Sequence, residues 1–302
     1  MPRRNARRQS VASNFNRPAE ILETRQVPAG FVLASVSAGV LTITGDNQAN
    51  NIQVNPNADG SVTVRGRSLT SVNGSLFSAA TFTGVQNITV QMNGGNDTVA
   101  VGNGDVDSTI PVDLNIDMGA GADTVDLRRL TVGDDVQILT GDGNDLVRLE
   151  QLKVGGLGVN SNQNDLLVDT SRASSTGSDV DQVLMYRLTV ARNATILTGA
   201  DADNVVNDDR SLFVVGFPTS TPFTDVAGDL SIQTGDGNDV VDLDLVRVIH
   251  DLNVDLNDGN DRLAIRRSVV VNEANLDGGD DNDTLLLIDS FFGDLDLDSF
   301  EL

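Results

Sequence analysis

Cysteine is absent from this 302-residue chain, which excludes a disulfide framework and any thiolate metal site. Tryptophan is absent as well, and there is one tyrosine (Tyr186) and one histidine (His250). Sugar binding by aromatic stacking is therefore poorly supplied, and so is catalysis by a histidine-centred triad. No stretch approaches the roughly 18 apolar residues of a membrane-spanning helix. Basic residues are scarce, 20 Lys and Arg against 44 Asp and Glu, for a net charge of −24. The imbalance is uneven: residues 1–30 hold six Arg against Glu20 and Glu23, a net of +4, so the rest of the chain carries −28. A body this acidic repels nucleic acid and anionic membranes, whose recognition requires Lys and Arg. Its natural small partners are multivalent cations.

What is present is a repeat. The phrase Thr-Gly-Asp-Gly-Asn-Asp occurs intact at residues 140–145 and 234–239, and decayed copies recur along most of the chain. Aligned on their last Asp, the copies fall at Asp97, Asp123, Asp145, Asp165, Asp181, Asp203, Asp239, Asp261 and Asp283. Four of the intervals, those ending at Asp145, Asp203, Asp261 and Asp283, are 22 residues long. A fixed period of that length means one supersecondary unit stacked on copies of itself.

One copy, residues 123–145, holds three short β-type stretches at 124–127, 130–132 and 136–139, separated by polar or Gly-containing corners. Two residues after each aligned Asp the side chain is apolar throughout: Val99, Val125, Val147, Leu167, Val183, Val205, Val241, Leu263 and Leu285. Four residues after, it is usually apolar again. Alternation of this kind gives a strand one buried face, and the clustered β-branched residues with frequent Gly, Asn and Asp argue against helix. The expectation is an all-β parallel β-helix, a solenoid of roughly triangular section with coils of about 22 residues, right-handed by the usual preference of parallel connections.

The domain reading has three parts. Residues 1–30 are a basic, disordered segment. Residues 31–91 form a degenerate β entry and capping region, with Asn51 where the aligned Asp is expected. Residues 92–302 are the solenoid, ending in a last strand at 294–297 with Phe291, Phe292 and Phe300 covering the final coil. The 16 residues between Asp165 and Asp181 read as a shortened coil. The 36 between Asp203 and Asp239 carry a loop insertion near residues 216–227, which includes Phe217 and Phe223. Opposite charges one coil apart, Arg128 with Glu150 and Asp244 with Arg266, read as cross-strand pairs.

Within the acidic turn, Gly at four and two positions before the aligned Asp permits strained backbone angles, and Asn one position before tolerates left-handed geometry. The carboxylates need a different explanation. Stacked coils set like charges about 5 Å apart, which costs about 3 kcal/mol per neighbouring pair at an effective dielectric near 20 and about 1 kcal/mol in bulk water. Asparagine makes the same turn without that repulsion, so retained Asp points to a cation between coils, and all-oxygen ligands select a hard ion such as Ca²⁺. The candidate ligands are Asp97, Asp123, Asp142, Asp145, Asp236, Asp239, Asp258, Asp261, Asp280 and Asp283. The middle turns at Asp165, Asp181 and Asp203 lack the Gly pair, so a calcium row is expected to break there and to be strongest toward the C-terminus.

These turns resemble the Gly-Gly-x-Gly-x-Asp-x-apolar-x repeats of hemolysin-type (RTX) calcium-binding proteins. Gly141, Gly143, Asp145 and Val147 match that pattern, as do Gly235, Gly237, Asp239 and Val241, while residues 93–99 and 119–125 match more loosely. The resemblance implies a parallel β-roll with Ca²⁺ between successive turns. This sequence departs from it in carrying one motif per coil of about 22 residues, not tandem nonapeptides, and in usually having Thr, Met or Leu for the first Gly. The resemblance therefore implies one ion row along one edge. Residues 21–29 (ILETRQVPA) resemble the Leu-Glu-x-Arg-x-x-Pro-Ala segment that opens many bacterial secreted and cell-surface repeat proteins, which implies export.

The function expected on these grounds is a non-catalytic, extracellular, calcium-binding β-solenoid, a structural or adhesive cell-surface module whose partners are calcium ions and a surface polysaccharide or protein. One alternative is a polysaccharide-degrading β-helix lyase or hydrolase, for which Arg247, His250 and Asp251 are the best-placed residues. The other is a metal-free, self-assembling surface spacer.

Overall fold

The computed structural model describes residues 30–76, 78–102, 104–156, 164–171, 179–207 and 224–301. Residues 1–29, including the export-like segment, lie outside them, as do residues 216–223 of the proposed loop with Phe217 and Phe223. Among the described residues there are 27 strands and no helix, and the pairing between coils is parallel, so the chain is a parallel β-helix.

One regular coil shows how the sequence makes the shape. After Asp123 the strand Thr124–Val132 alternates buried and half-buried side chains, with Val125, Leu127, Leu130 and Val132 inside. The strand bends once, at Arg129, whose φ of 48° is left-handed. Gln151, Arg187, Leu245 and Arg267 occupy the same place in later coils with the same sign of φ. A short corner follows, then the strand Val136–Leu139, with Val136 and Ile138 buried, and then the acidic turn. Three faces and three corners result, enclosing one continuous apolar core. The next coil stacks in strict register: Val125 on Val147, Leu130 on Leu152 and Ile138 on Val168. Identical spacing along the sequence therefore becomes identical position in space, one strand separation of about 4.8 Å away.

The register corrects the reading of Asp165. The strand after it, Leu166–Asp169, pairs with Val136–Leu139, so Asp165 sits at the corner before the third face and not at the acidic turn. Asp181 follows Asp145 directly in the stack, since Val183 lies on Val147. The short 16-residue coil does not exist. Both long coils, from Asp145 to Asp181 and from Asp203 to Asp239, span 36 residues. Val136 pairs with Leu166 and Val154 with Val190, which divides the first insertion between two corners. The second precedes Thr224–Val226, which is a strand of the stack and not part of a loop.

Stacking also begins earlier than residue 92. Val40–Thr44 pairs with Asn87–Gln91, and Asn51–Pro56 with Thr98–Val101, both parallel and in coil register. The capping role falls to Gly30–Ser37, which pairs antiparallel with Val40–Thr44, and to the antiparallel excursion of Val62–Gly66 and Ala80–Phe82. At the other end the last strand is Phe291–Asp298. Phe292 and Phe300 pack against the core, whereas Phe291 is 61% exposed and covers nothing.

Candidate functional site: a carboxylate ladder along the acidic edge

The turn is shaped by glycine for two reasons at once. Gly141 has φ 94° and Gly143 φ 128°. A Cβ on Gly141 would overlap the carbonyl oxygen of Gly119 in the preceding coil, so the coils could not stack at that point. Asn93 and Asn257, both with positive φ, stand in for the first Gly, and Asp201 and Asp281 for the second. The Asn just before the aligned Asp does something other than expected. In the acidic turns its backbone is not left-handed, though Asn164 before Asp165 at the other corner is (φ 103°), and its amide forms an outer ladder instead: Asn260 N–H donates to Asn238 Oδ1 at 2.8 Å, and Asn282 Nδ2 to Asn260 Oδ1 at 3.3 Å.

The aligned aspartates are buried. Asp97, Asp123, Asp145, Asp181, Asp203, Asp239, Asp261 and Asp283 are each at most 2% exposed. In each, Oδ1 reaches back one coil and accepts the backbone N–H of the preceding aligned residue. Asp97 N–H bonds Asp123 at 2.6 Å, Asp123 bonds Asp145 at 2.7 Å, Asp145 bonds Asp181 at 2.8 Å and Asp181 bonds Asp203 at 2.8 Å. Asp203 bonds Asp239 at 2.7 Å, Asp239 bonds Asp261 at 2.8 Å and Asp261 bonds Asp283 at 2.9 Å. Asn50, not Asn51, starts the row, its N–H donating to Asp97 Oδ1 at 2.6 Å. Glu301 ends it by accepting the Asp283 N–H at 2.5 Å. The hydrogen-bonded row is unbroken through Asp181 and Asp203.

The second carboxylate oxygen, Oδ2, is buried and without a hydrogen-bond partner in all eight. Its cover is the residue that ends the third face. A Cβ on Gly278 would lie 2.8 Å from Asp283 Oδ2, and in other coils Met92, Met118, Thr140, Thr170, Thr198, Thr234 and Leu256 take that place, all buried. Burial without a partner disfavours the charged form. Desolvation is the leading cause that pushes the Asp97, Asp123, Asp145, Asp181 and Asp261 carboxyls up to about 7, Asp239 to about 6 and Asp203 to about 8. The backbone N–H bonds oppose it, and the adjacent carboxylates mostly reinforce it. Thr140, Thr170, Thr198 and Thr234 act in the lowering direction on Asp145, Asp181, Asp203 and Asp239, but the Thr140 hydroxyl lies outside hydrogen-bonding geometry and the other three donate to backbone carbonyls of the next coil.

The ten sequence candidates thus divide. Asp97, Asp123, Asp145, Asp239, Asp261 and Asp283 belong to the buried ladder, whereas Asp142, Asp236, Asp258 and Asp280 lie on the exposed outer side of the turn. The outer four stack through their backbones: Gly121 N–H donates to the Asp142 carbonyl and Gly237 N–H to the Asp258 carbonyl, both at 2.7 Å. Asp181 and Asp203 are ladder members that the Gly pattern hid. The signal that finds them is the equal excess of 14 residues in the two 36-residue coils once Asp165 is set aside.

A second ladder runs along the corner before the third face, in the opposite sense. There the side chain reaches forward: Asp165 N–H donates to Asp135 Oδ1 at 3.0 Å, Asn193 N–H to Asp165 Oδ1 at 3.0 Å and Asp229 N–H to Asn193 Oδ1 at 3.0 Å. Among the described residues, the one place where three acidic side chains bring ligand atoms within 4.8 Å of one another is on this corner, at Asp113, Asp134 and Asp135. In the acidic turns, carboxylates approach at most in pairs.

The residues weighed for catalysis are all used within the repeat. Arg247 is paired with Asp225 at 2.5 Å, and His250 is exposed with Nδ1 3.8 Å from Asp229. Asp251 accepts the Asn272 side chain and the Glu273 N–H. An open groove of 480 Å³ runs along the outer third face, lined by residues including Gln233, Asn253, Asp255, Asn275, Asp277 and Asp296, with no aromatic or basic side chain in its wall. The expected pair of Arg128 with Glu150 forms at 3.8 Å. Arg266 instead bonds Asp242, and Arg267 bonds Asp244, because the long side chains lean diagonally across the register.

Comparison with protein-family models, with curated proteins and with solved structures found no match to this chain.

Proposed function

We propose that the chain is a non-catalytic, extracellular β-solenoid that serves as a rigid structural or adhesive surface module, with calcium bound along its acidic edge. The observation that carries this reading is the row of eight buried carboxylates, each with one oxygen bonded to a backbone amide and the other without any partner. An anionic oxygen buried without a donor is a poor structural element on its own. A column of such oxygens, one per coil, fits a hard divalent cation, which takes six to eight oxygen ligands and completes its shell with carbonyls and water. Residues that would hold it are the ladder aspartates, with the exposed Asp142, Asp236, Asp258 and Asp280 as outer donors. Bound calcium would supply the positive charge that the edge lacks and would tie successive coils together.

The mechanical role rests on the stack. Ten strands lie in register on the third face, from Val40–Thr44 to Phe291–Asp298. At about 4.8 Å per step the rod is on the order of 40 Å long. Its outer third face is polar and acidic, which suits adhesion to a surface polysaccharide or protein through cations. Export is supported by the sequence resemblance of residues 21–29. The acidic residues follow the period, and a position explained by the period needs no catalytic explanation. The test is a calorimetric titration of calcium into chelator-treated protein. Several ions per chain are expected, and no heat at millimolar calcium would end the metal half of the reading.

A metal-free spacer is the second reading, favoured by one observation. Met92, Met118 and Leu256 stand at the covering position in three of the turns, where an apolar neighbour suits a neutral carboxyl better than an ion. In that case the same titration is silent and the protein is most stable where the ladder is protonated.

A further inference from the structure

The third face differs from the other two in how its charges are matched. On the first two faces the acids have Arg partners: Asp126 with Arg128 and Arg148, Asp225 with Arg247, Asp242 with Arg266 and Asp244 with Arg267. None of the ten strands of the third face contains a Lys or Arg. Register stacks Asp255 on Asp277 and Asp277 on Asp298, with Asp296 beside them on Asn275. These four aspartates line the 480 Å³ groove. Among the described residues no ion pair reaches any of the four. With one strand step of about 4.8 Å between coils, the like charges repel one another without an opposing ion pair.

The missing counter-charge is elsewhere in the chain. Residues 1–29, outside the described residues, hold six of its 20 basic side chains, with Arg3, Arg4, Arg7 and Arg8 close together. They are joined to the third face itself. Gly30–Ser37 extends that face by pairing with Val40–Thr44, and Phe31 N–H near its start donates to Asp46 Oδ2 at 3.1 Å. The far wall of the groove, on Phe291–Asp298, is ten strand spacings from Gly30–Ser37, about 48 Å. Arg8 lies 22 residues before Gly30, a stretch that reaches up to about 73 Å when extended. The Arg cluster therefore reaches the groove from its own point of attachment. Asp117 and Asp169, outward on the same face, continue the negative charge along the way.

We propose that residues 1–29 lie along the outward third face of their own chain, with Arg3, Arg4, Arg7 and Arg8 seated in the groove against Asp255, Asp277, Asp296 and Asp298. Exposed ion pairs are individually weak, but a tethered segment meets its site at roughly millimolar effective concentration, so several pairs act together. A docked segment occupies the carboxylates that a basic partner or a bridging cation would use. The face is closed to both while the segment is in place.

The chain has no cysteine, so two spin labels attach cleanly to the full chain through Ser10→Cys and Val271→Cys. Val271 is half exposed on the strand that carries Asp277. Pulsed electron paramagnetic resonance in low salt is expected to show a short, narrow distance population. Chelator in the buffer makes the outcome independent of calcium at the acidic edge. The short population should be lost in about 1 M salt, where charges are screened beyond roughly 3 Å. It should also be lost in the variant R3Q/R4Q/R7Q/R8Q and in the groove variant D255N/D277N/D296N/D298N. The Arg variant alters none of the described residues, so its result stands even if the groove variant fails to fold. A broad distribution in the labelled parent, or a short one that survives the Arg variant, would overturn the proposal. Loss of the short population on dilution into unlabelled protein would make a second copy the occupant, and would overturn it as well.

Discussion

The backbone N–H of Asp123 donates to Oδ1 of Asp145 across one coil at 2.7 Å, while Oδ2 of the same Asp145 is buried with nothing to bond. One side chain thus does two things. Its first oxygen satisfies a buried amide and fixes the register of the next coil, which explains why an acceptor belongs there. Its second oxygen is the unmet requirement that only a proton or a cation can satisfy.

That division separates two substitutions at one position. Asp145→Asn keeps the acceptor and removes the charge, so the metal-free protein should be as stable as wild type or more stable near neutral pH, while stabilisation by calcium should shrink. Asp145→Ala leaves the Asp123 amide buried without a partner and should lose about 1–3 kcal/mol. Urea unfolding with and without calcium measures both differences.

Stability of the metal-free protein should fall as pH rises. Seven of the eight ladder carboxyls are raised from an ordinary value near 3.8 to between about 6 and about 8, and Asp283 is raised in the same direction, so between the ordinary and the raised values the folded chain binds more protons than the unfolded one. By linkage their contribution is fully present below about pH 4 and is lost as pH passes through 6 to 8. Calcium competes for the deprotonated form, so its stabilising effect should be larger near pH 8 than near pH 5. Thermal unfolding across that range in chelator, and again in calcium, should give curves that converge on acidification.

Two glycines with similar backbone angles should respond very differently to alanine. Gly60 has φ 79° with open space where a Cβ would go, whereas Gly141 has φ 94° and would drive its Cβ into the Gly119 carbonyl. Gly60→Ala should cost roughly the 1–2 kcal/mol of a left-handed alanine. Gly141→Ala adds a backbone clash between coils and should cost clearly more, with local loss of stacking. Chemical denaturation of the two variants compares them directly.

Much of the fold was legible because a solenoid turns sequence period into spatial register. Val125 and Val147 sit two residues after their Asp, and they are stacked partners with no exposure. Asp165 misled because Leu167 follows it at the same spacing, yet Leu167 pairs with Gln137 on another face. Two corners carry similar Asx chemistry, and sequence alone does not say which corner an isolated Asp belongs to. The bend at Arg129 was invisible for a different reason: a long side chain there gives no sign of a left-handed backbone. At the site, the acidic residues were found but not their orientation. Asp142 and Asp145 look equivalent in the string, and burial alone makes one an exposed outer residue and the other a ladder rung.

Whether calcium completes the partnerless row is decided most directly by thermal unfolding of chelator-treated wild-type protein near pH 8 before and after adding millimolar calcium. The midpoint should shift far upward, return with fresh chelator, and move much less in the triple variant Asp123→Asn, Asp145→Asn and Asp239→Asn. An unchanged midpoint in calcium, with the wild type and the triple variant behaving alike, would contradict it.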